Sequence, residues 1–174
     1  MRWVSHAAIA GSIAALAHPA AVPVAILGST APDWLEWALK VLGRRIKHRQ
    51  ETHYLFLWGA GLLFSLALWD WHGLVFWFAL GGLLHVLCDA LTVTGVPLGP
   101  WSDRRFHLFG GRVRTGAPLE YAIAGAVVLT CVVLSWGIHT HAASFYPFFY
   151  DWAGLYQQGI VDAYEWKQNR FRFF

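Results

Sequence analysis

The stretch "LVFWFALGGLLHVLCDAL", Leu74 to Leu91, decides how this chain is built. It is an apolar run close to the length of a membrane span, and its far end holds His85 and Asp89 four residues apart. On a helix that spacing puts both side chains on one face, one turn from each other. An ionisable pair in apolar surroundings is expensive, so it marks a functional site by default. The plainer reading is a His–Asp hydrogen bond that staples two helices. The glycines of "ALGGLL", and those of "GAGLL" upstream, read as packing positions where helix backbones approach closely.

Working outward, a second apolar run, Tyr54 to Trp69, precedes the first and is joined to it only by "DWHG", Asp70 to Gly73. The two are expected to form a tight antiparallel helical hairpin. A third run, Leu119 to Ile138, approaches the roughly 20 residues that a straight span needs. Nearer the start, Trp3 to Leu27 is interrupted by "HPAAVP", whose Pro19 and Pro23 break a helix and predict two half-helices folded back on each other. Although Arg2 precedes this run, it continues through Leu27 without a clean cleavage site and is expected to be retained.

The composition agrees with lipid as the solvent. Of 174 residues, 57% are hydrophobic and 13% charged, about half the roughly 25% usual in soluble domains. Mean hydropathy is +0.43. The 11 tryptophans suit membrane interfaces. A net charge of +3 does not read as nucleic-acid binding, because the basic residues flank apolar segments. Lys40, Arg44, Arg45, Lys47 and Arg49 precede the hairpin, and Arg104, Arg105, Arg112 and Arg114 follow it, so both loops are predicted cytoplasmic and "DWHG" external. The basic tail residues Lys167, Arg170 and Arg172 run against that orientation. Cys88 and Cys131 lie inside apolar runs and suggest no disulfide.

The expected fold is therefore all-α: a polytopic membrane helical bundle with an N-terminal broken hairpin, about three membrane helices and an interfacial C-terminal tail. Residues 1–138 would form the membrane-embedded functional domain. Residues 139–174, with the aromatic stretch "FYPFFYDWAGLYQQGIVDAYEW", would lie along the membrane surface or bind a membrane-protein partner.

Topology then gathers side chains that sequence keeps apart. "HRQETHY", His48 to Tyr54, puts His53 at the start of the second run, beside the His85–Asp89 end of the first. Asp33, after the returning half-helix, and His6, at the start of the first, should emerge on the same side. His6, Asp33, His53, His85 and Asp89 thus form a set of metal-type ligands at one membrane face. Mixed imidazole and carboxylate donors suit a divalent metal, zinc foremost, with manganese or iron as alternatives, and such a set can hold one or two ions. Arg49, with Arg104 and Arg105, could neutralise a substrate phosphate or serve equally as a topology determinant. Thr52 is expected to cap the following helix and Glu51 to be solvated. His72, His139, His141, Asp151 and Asp162 read as solvated positions, His18 as a partner for the broken backbone near Pro19, and His107 has no distinctive spacing. A phosphate-cradling glycine loop, a serine elbow and a CxxC pair are all missing.

In order, the motifs are a His near the start (His6), "PD" (Pro32, Asp33), "HRxxTH" (His48, Arg49, Thr52, His53), "HxxxD" (His85, Asp89), "TVTGVPLGPW" from Thr92, and "TGAPLE" ending at Glu120. This order resembles the YdjM-type (LexA-regulated) family of membrane-bound metal-dependent hydrolases, over about Val4 to Ile138. The resemblance implies a bacterial inner-membrane, multi-pass protein, distantly similar to zinc-dependent phospholipase C. It implies His6, Asp33, His53, His85 and Asp89 as ligands, His48 as a further ligand or proton-transfer group, and Glu120 as a supporting or catalytic carboxylate. The implied activity is hydrolysis of a phosphoester or lipid-derived bond at the cytoplasmic face, with membrane lipid as partner. The alternative is a non-enzymatic membrane subunit that keeps a structural metal site. A transporter using His85 and Asp89 ranks below both. Two positions depart from the family pattern: Leu35 stands where a second Asp is common, with Glu36 beside it, and Tyr54 where Ser is common.

Overall fold

Proline and glycine set where the helices begin and how closely they pack. The structure, a computed structural model, describes residues 1–47, 49–67, 73–139, 156–159 and 162–169. Helix α1 spans Trp3–Ala17 and stops at His18, where Pro19–Ala21 makes one 3-10 turn before α2, Val22–Val41. The predicted break is there, with Pro23 in the first turn of α2, where its missing N–H costs nothing. The returning helix is longer than expected, because it runs through Pro32 to Val41. Asp33 therefore sits within α2 and not beyond its end.

The hairpin helices are α3, Leu55–Ala67, and α4, Leu74–Ala90; most of the "DWHG" turn lies outside the described residues. The expectation of an all-α chain needs one correction. After α4, β1 (Val96–Gly99) pairs antiparallel with β2 (Ser102–Phe106), with Val96 opposite Phe106 and an irregularity between Pro97 and Gly99. This ribbon satisfies its own backbone groups, as a loop folded over a bundle end must. It is followed by α5, Pro118–His139. Of the expected tail helix, the described residues contain a short helix at Ala163–Asn169, which Asp162 caps by accepting from Glu165 N at 2.7 Å.

Helix α4 lies at the centre, packed on α2 and α3, while α1 packs on α2 and α5. The α2–α4 contact is backbone to backbone. A Cβ on Gly28 would lie 2.1 Å from the Phe78 carbonyl oxygen, and one on Gly81 2.2 Å from that of Ala25. Gly82 gives similar room to the Trp58 ring, whereas Gly59 of "GAGLL" faces open space. Ala31, Trp58, Val86, Ala90 and Val96 form the main buried cluster, and Met1, Ile9, Cys88 and Ala124 a second.

Lengths revise the expected spans. Helices α1, α3 and α4 have 15, 13 and 17 residues. At a rise of about 1.5 Å per residue they reach roughly 20 to 26 Å, short of the roughly 30 Å hydrocarbon core. Among the described residues one helix is long and apolar enough to cross: Pro118–Ser135 within α5, with mean hydropathy 1.8. Only 17% of that stretch is buried, so this is no core helix of a soluble domain; Leu129, Val132, Val133 and Leu134 face outward.

The α2–α4 contact has a direct test. Gly81→Ala should lower stability by about 1 to 3 kcal/mol through overpacking, read as a lower thermal midpoint in detergent. Gly59→Ala, in open space, should leave the midpoint unchanged or raise it.

Candidate metal centre

Four elements deliver the five candidate ligands. His6 comes from the second turn of α1, Asp33 from the middle of α2, His53 from a 3-10 turn at Glu51–His53, and His85 and Asp89 from the last turns of α4. His6, His53, His85 and Asp89 are each at most 1% exposed, and the Asp33 side chain is 19% exposed. Two groups of ligand atoms lie within 4.8 Å of one another: His6, His85 and Asp89, and Asp33, His53 and His85. His85 belongs to both.

The rings are close. His6 and His85 stack with centroids 3.7 Å apart at 14°, and His53 meets His85 edge-on at 5.2 Å. Asp89 Oδ1 is 3.4 Å from His6 Nε2, and its Oδ2 is 3.7 Å from His85 Nε2 and 4.0 Å from His53 Nε2. Asp33 Oδ1 is 3.3 Å from His53 Nε2 and 3.9 Å from His85 Nε2.

Supporting contacts orient these groups. His85 Nδ1 lies 2.6 Å from the Ser29 carbonyl oxygen. A carbonyl accepts only, so Nδ1 carries the proton and Nε2 presents its lone pair to the cluster. Thr52 Oγ1 sits 3.1 Å from His53 Nδ1, so its hydroxyl orients the ring and does not serve the expected helix cap. Trp3 Nε1 donates to Asp33 Oδ2 at 2.5 Å, leaving Oδ1 toward the imidazoles. Both nitrogens of His6, and His85 Nε2, are buried without a hydrogen-bond partner among the described residues. Native interiors rarely leave such atoms unmet. A cation accepting one lone pair from each ring would meet His85 Nε2 and one nitrogen of His6.

Arg49 faces inward instead of toward a substrate or the membrane surface. Its Nε lies 3.1 Å from Asp89 Oδ2 and its Nη2 donates to Oδ1 at 3.2 Å, a bidentate pair. Nη1 donates to Thr94 Oγ1 at 2.9 Å. The backbone at Arg49 is left-handed, with φ at 56°, and is held on both sides: its N–H donates to Glu36 Oε2 at 3.2 Å, and its carbonyl accepts from Arg105 Nη1 at 3.0 Å. Arg105 thus reaches the centre only through Arg49. Arg104 is exposed, and no described contact ties its side chain to the cluster. Glu36 does not replace the carboxylate that Leu35 lacks; it holds Lys40 and the Arg49 loop.

Glu120 stands apart from the ligands. Its buried carboxylate accepts from Ser5 Oγ at 2.6 Å and from the N–H groups of Arg2 and Gly116 at 2.7 Å each. It anchors the start of α1, one turn from His6, and so positions a ligand instead of meeting a substrate. The Met1 amino group also contacts Asp89 Oδ1. His48 lies outside the described residues, as do His72, His141 and Asp151. His107 Nδ1 approaches the Thr92 carbonyl at 3.3 Å. Sequence reasoning overlooked Ser29, Thr94 and Trp3; Thr94 lay within a quoted motif, while Ser29 acts through its backbone and has no sequence signal.

A family model described as YdjM inner membrane protein matches residues 1–160, so the chain belongs to that family. The match runs past Ile138 into the tail, further than the motifs alone suggested. No curated protein and no solved structure matches the chain.

Two substitutions separate anchoring from chemistry. Glu120→Gln sets an amide N–H against a backbone donor and should lower stability by about 1 to 3 kcal/mol, with the metal still bound; a catalytic role would instead leave the thermal midpoint unchanged. Arg49→Ala should destabilise by about 3 to 5 kcal/mol, because it strands the Asp89 charge, and Arg49→Lys should recover only part of the loss in the same melting assay.

Proposed function

We propose that this member of the YdjM inner membrane protein family is a multi-pass, metal-dependent hydrolase of the bacterial inner membrane, acting on a phosphoester or lipid-derived bond at the cytoplasmic face. One observation carries the reading: buried imidazole nitrogens of His6 and His85 without hydrogen-bond partners among the described residues converge with two carboxylates. An unmet buried polar atom costs about 1 to 3 kcal/mol, and a ligated ion removes that cost at one nitrogen of each ring. His6, Asp33, His53, His85 and Asp89 would hold the ion, and their mixed nitrogen and oxygen donors suit zinc. His85 has one lone pair to give, since Nδ1 is spent on Ser29, so the two overlapping groups share a single ion. Bound there, a divalent ion supplies a Lewis acid that polarises a phosphoryl or carbonyl oxygen. The chain's own residues do the rest. Arg49 pairs bidentately with Asp89, Thr52 and the Ser29 carbonyl aim the imidazoles, and the surrounding helices exclude water. The basic loops at Lys40–Arg49 and Arg104–Arg114 favour a cytoplasmic position for this end of the bundle.

The second reading, a non-enzymatic subunit with a structural metal site, draws on the Arg49–Asp89 pair, which already ties two elements together without turnover. Elemental analysis of detergent-purified protein should find about one transition-metal ion per chain, in line with tetrahedral zinc sites, and none in folded His85→Ala or Asp89→Ala. Phosphoester turnover should vanish in both variants and on chelation, and return with zinc. Folded protein without metal that also resists reloading would sink both readings. Bound metal whose removal unfolds the chain, with no turnover beforehand, would favour the scaffold.

A further inference from the structure

Among the described residues, Asp33 is the candidate ligand whose side chain reaches the surface, and in front of it stands a cavity. Trp3, Asp33, Glu36, Trp37 and Lys40 line a volume of about 290 Å³. The other four ligands are sealed, so a ligand approaching the centre through the described residues comes past Asp33. The walls of this approach are unusual for a surface cleft. Trp3 is 55% and Trp37 68% exposed, large apolar faces turned outward beside a buried polar centre. In an inner membrane protein, exposed indoles belong at the level of lipid headgroups.

The charges around the cavity define what it would take. Glu36 is buried and engaged by Lys40 Nζ and by the Arg49 N–H, so it is not available to a ligand cation. Lys40 spends one of three ammonium donors on Glu36, at 2.5 Å, and its side chain is 46% exposed. Asp33 and Asp89 bring two negative charges to the centre, and Arg49 and the Met1 amino group return two positive charges. A divalent ion would leave that sum positive, and bound cations are often the largest charges in a site. The loaded centre would therefore attract an anion, with Lys40 on the approach to it. Trp3 has a double part: its indole N–H holds Asp33 Oδ2, and its ring forms one wall.

We propose that this cavity is the substrate portal of the metal centre, and that it receives a phosphate ester whose anionic oxygens meet Lys40 while its carbon portion lies against Trp3 and Trp37. The proposal rests on the metal-centre reading above and adds to it the ligand class, the route and three residues that no family motif contains. The phosphate ester has two possible sources, a lipid headgroup or a soluble phosphomonoester. The tryptophan walls separate them, because only an amphiphile brings enough apolar surface to gain from both rings.

Calorimetric binding to full-length, detergent-purified protein tests this without any turnover. The probes are dihexanoyl phosphatidylglycerol and glycerol 1-phosphate, and metal content is measured on the same samples. Lys40→Gln should weaken both probes by more than about tenfold, the size of a hydrogen bond to a charged group, with the metal retained. Trp37→Ala, at an exposed position where folding is not at risk, should weaken the lipid probe and spare glycerol 1-phosphate if the source is a headgroup. Equal weakening of both would keep the portal and assign it to a soluble ester. Unchanged affinities in both variants, or no binding of either probe by metal-loaded wild type, would overturn the portal while leaving the metal centre standing. A folded wild type that neither carries nor accepts metal would overturn the centre, and the portal with it.

Discussion

A carboxylate buried inside an apolar bundle must be compensated, and Asp89 is buried to 1%. Removing such a charge from water costs several kcal/mol unless good geometry offsets it. The compensation comes from Arg49 in the loop before α3 and from the Met1 amino group at the start of α1, where His6 Nε2 also approaches Oδ1. These partners come from two segments outside α4, so the demand of one side chain fixes their placement against that helix. The apolar helices alone would tolerate sliding, since contacts between them lack direction. The ionic centre supplies the direction.

Two further devices make that convergence possible. Backbone contact at Gly28 and Gly81 lets α2 approach α4 closely enough for the Ser29 carbonyl to reach His85. Glu120 performs the matching service for α1, gathering Arg2, Ser5 and Gly116 so that the helix begins where His6 can enter the cluster. Both sit at a distance from the ligand atoms and both control them. The left-handed backbone at Arg49 completes the set, because it turns the guanidinium inward from a loop whose other basic residues face outward.

Asp33 differs from the other ligands in the same way that an opening differs from a wall. It is partly exposed, is held by an indole, and faces a cavity, whereas the three histidines are sealed by packing. Among the described residues, the cluster thus has a closed interior and one partly exposed side. His6 near the start of α1, and His85 and Asp89 near the end of α4, put this cluster toward one end of the helical bundle.

Local chemistry made much of this legible from the sequence. Apolar run lengths marked the helices, Pro19 and Pro23 marked the first break, and the four-residue step from His85 to Asp89 put two candidate ligands on one face, all consequences of short-range sterics and helix periodicity. The gathering of His6, Asp33 and His53 beside them could be argued from hairpin topology, because antiparallel helices joined by short turns return to the same side. Tertiary contact decided the rest. The direction of Arg49, the role of Glu120 as an anchor, Thr52 as a ring-orienting hydroxyl, the Ser29 carbonyl and the β1–β2 ribbon all depend on which backbone group happens to lie opposite. That is set by how closely two helices pack, a distance no residue carries in its own identity.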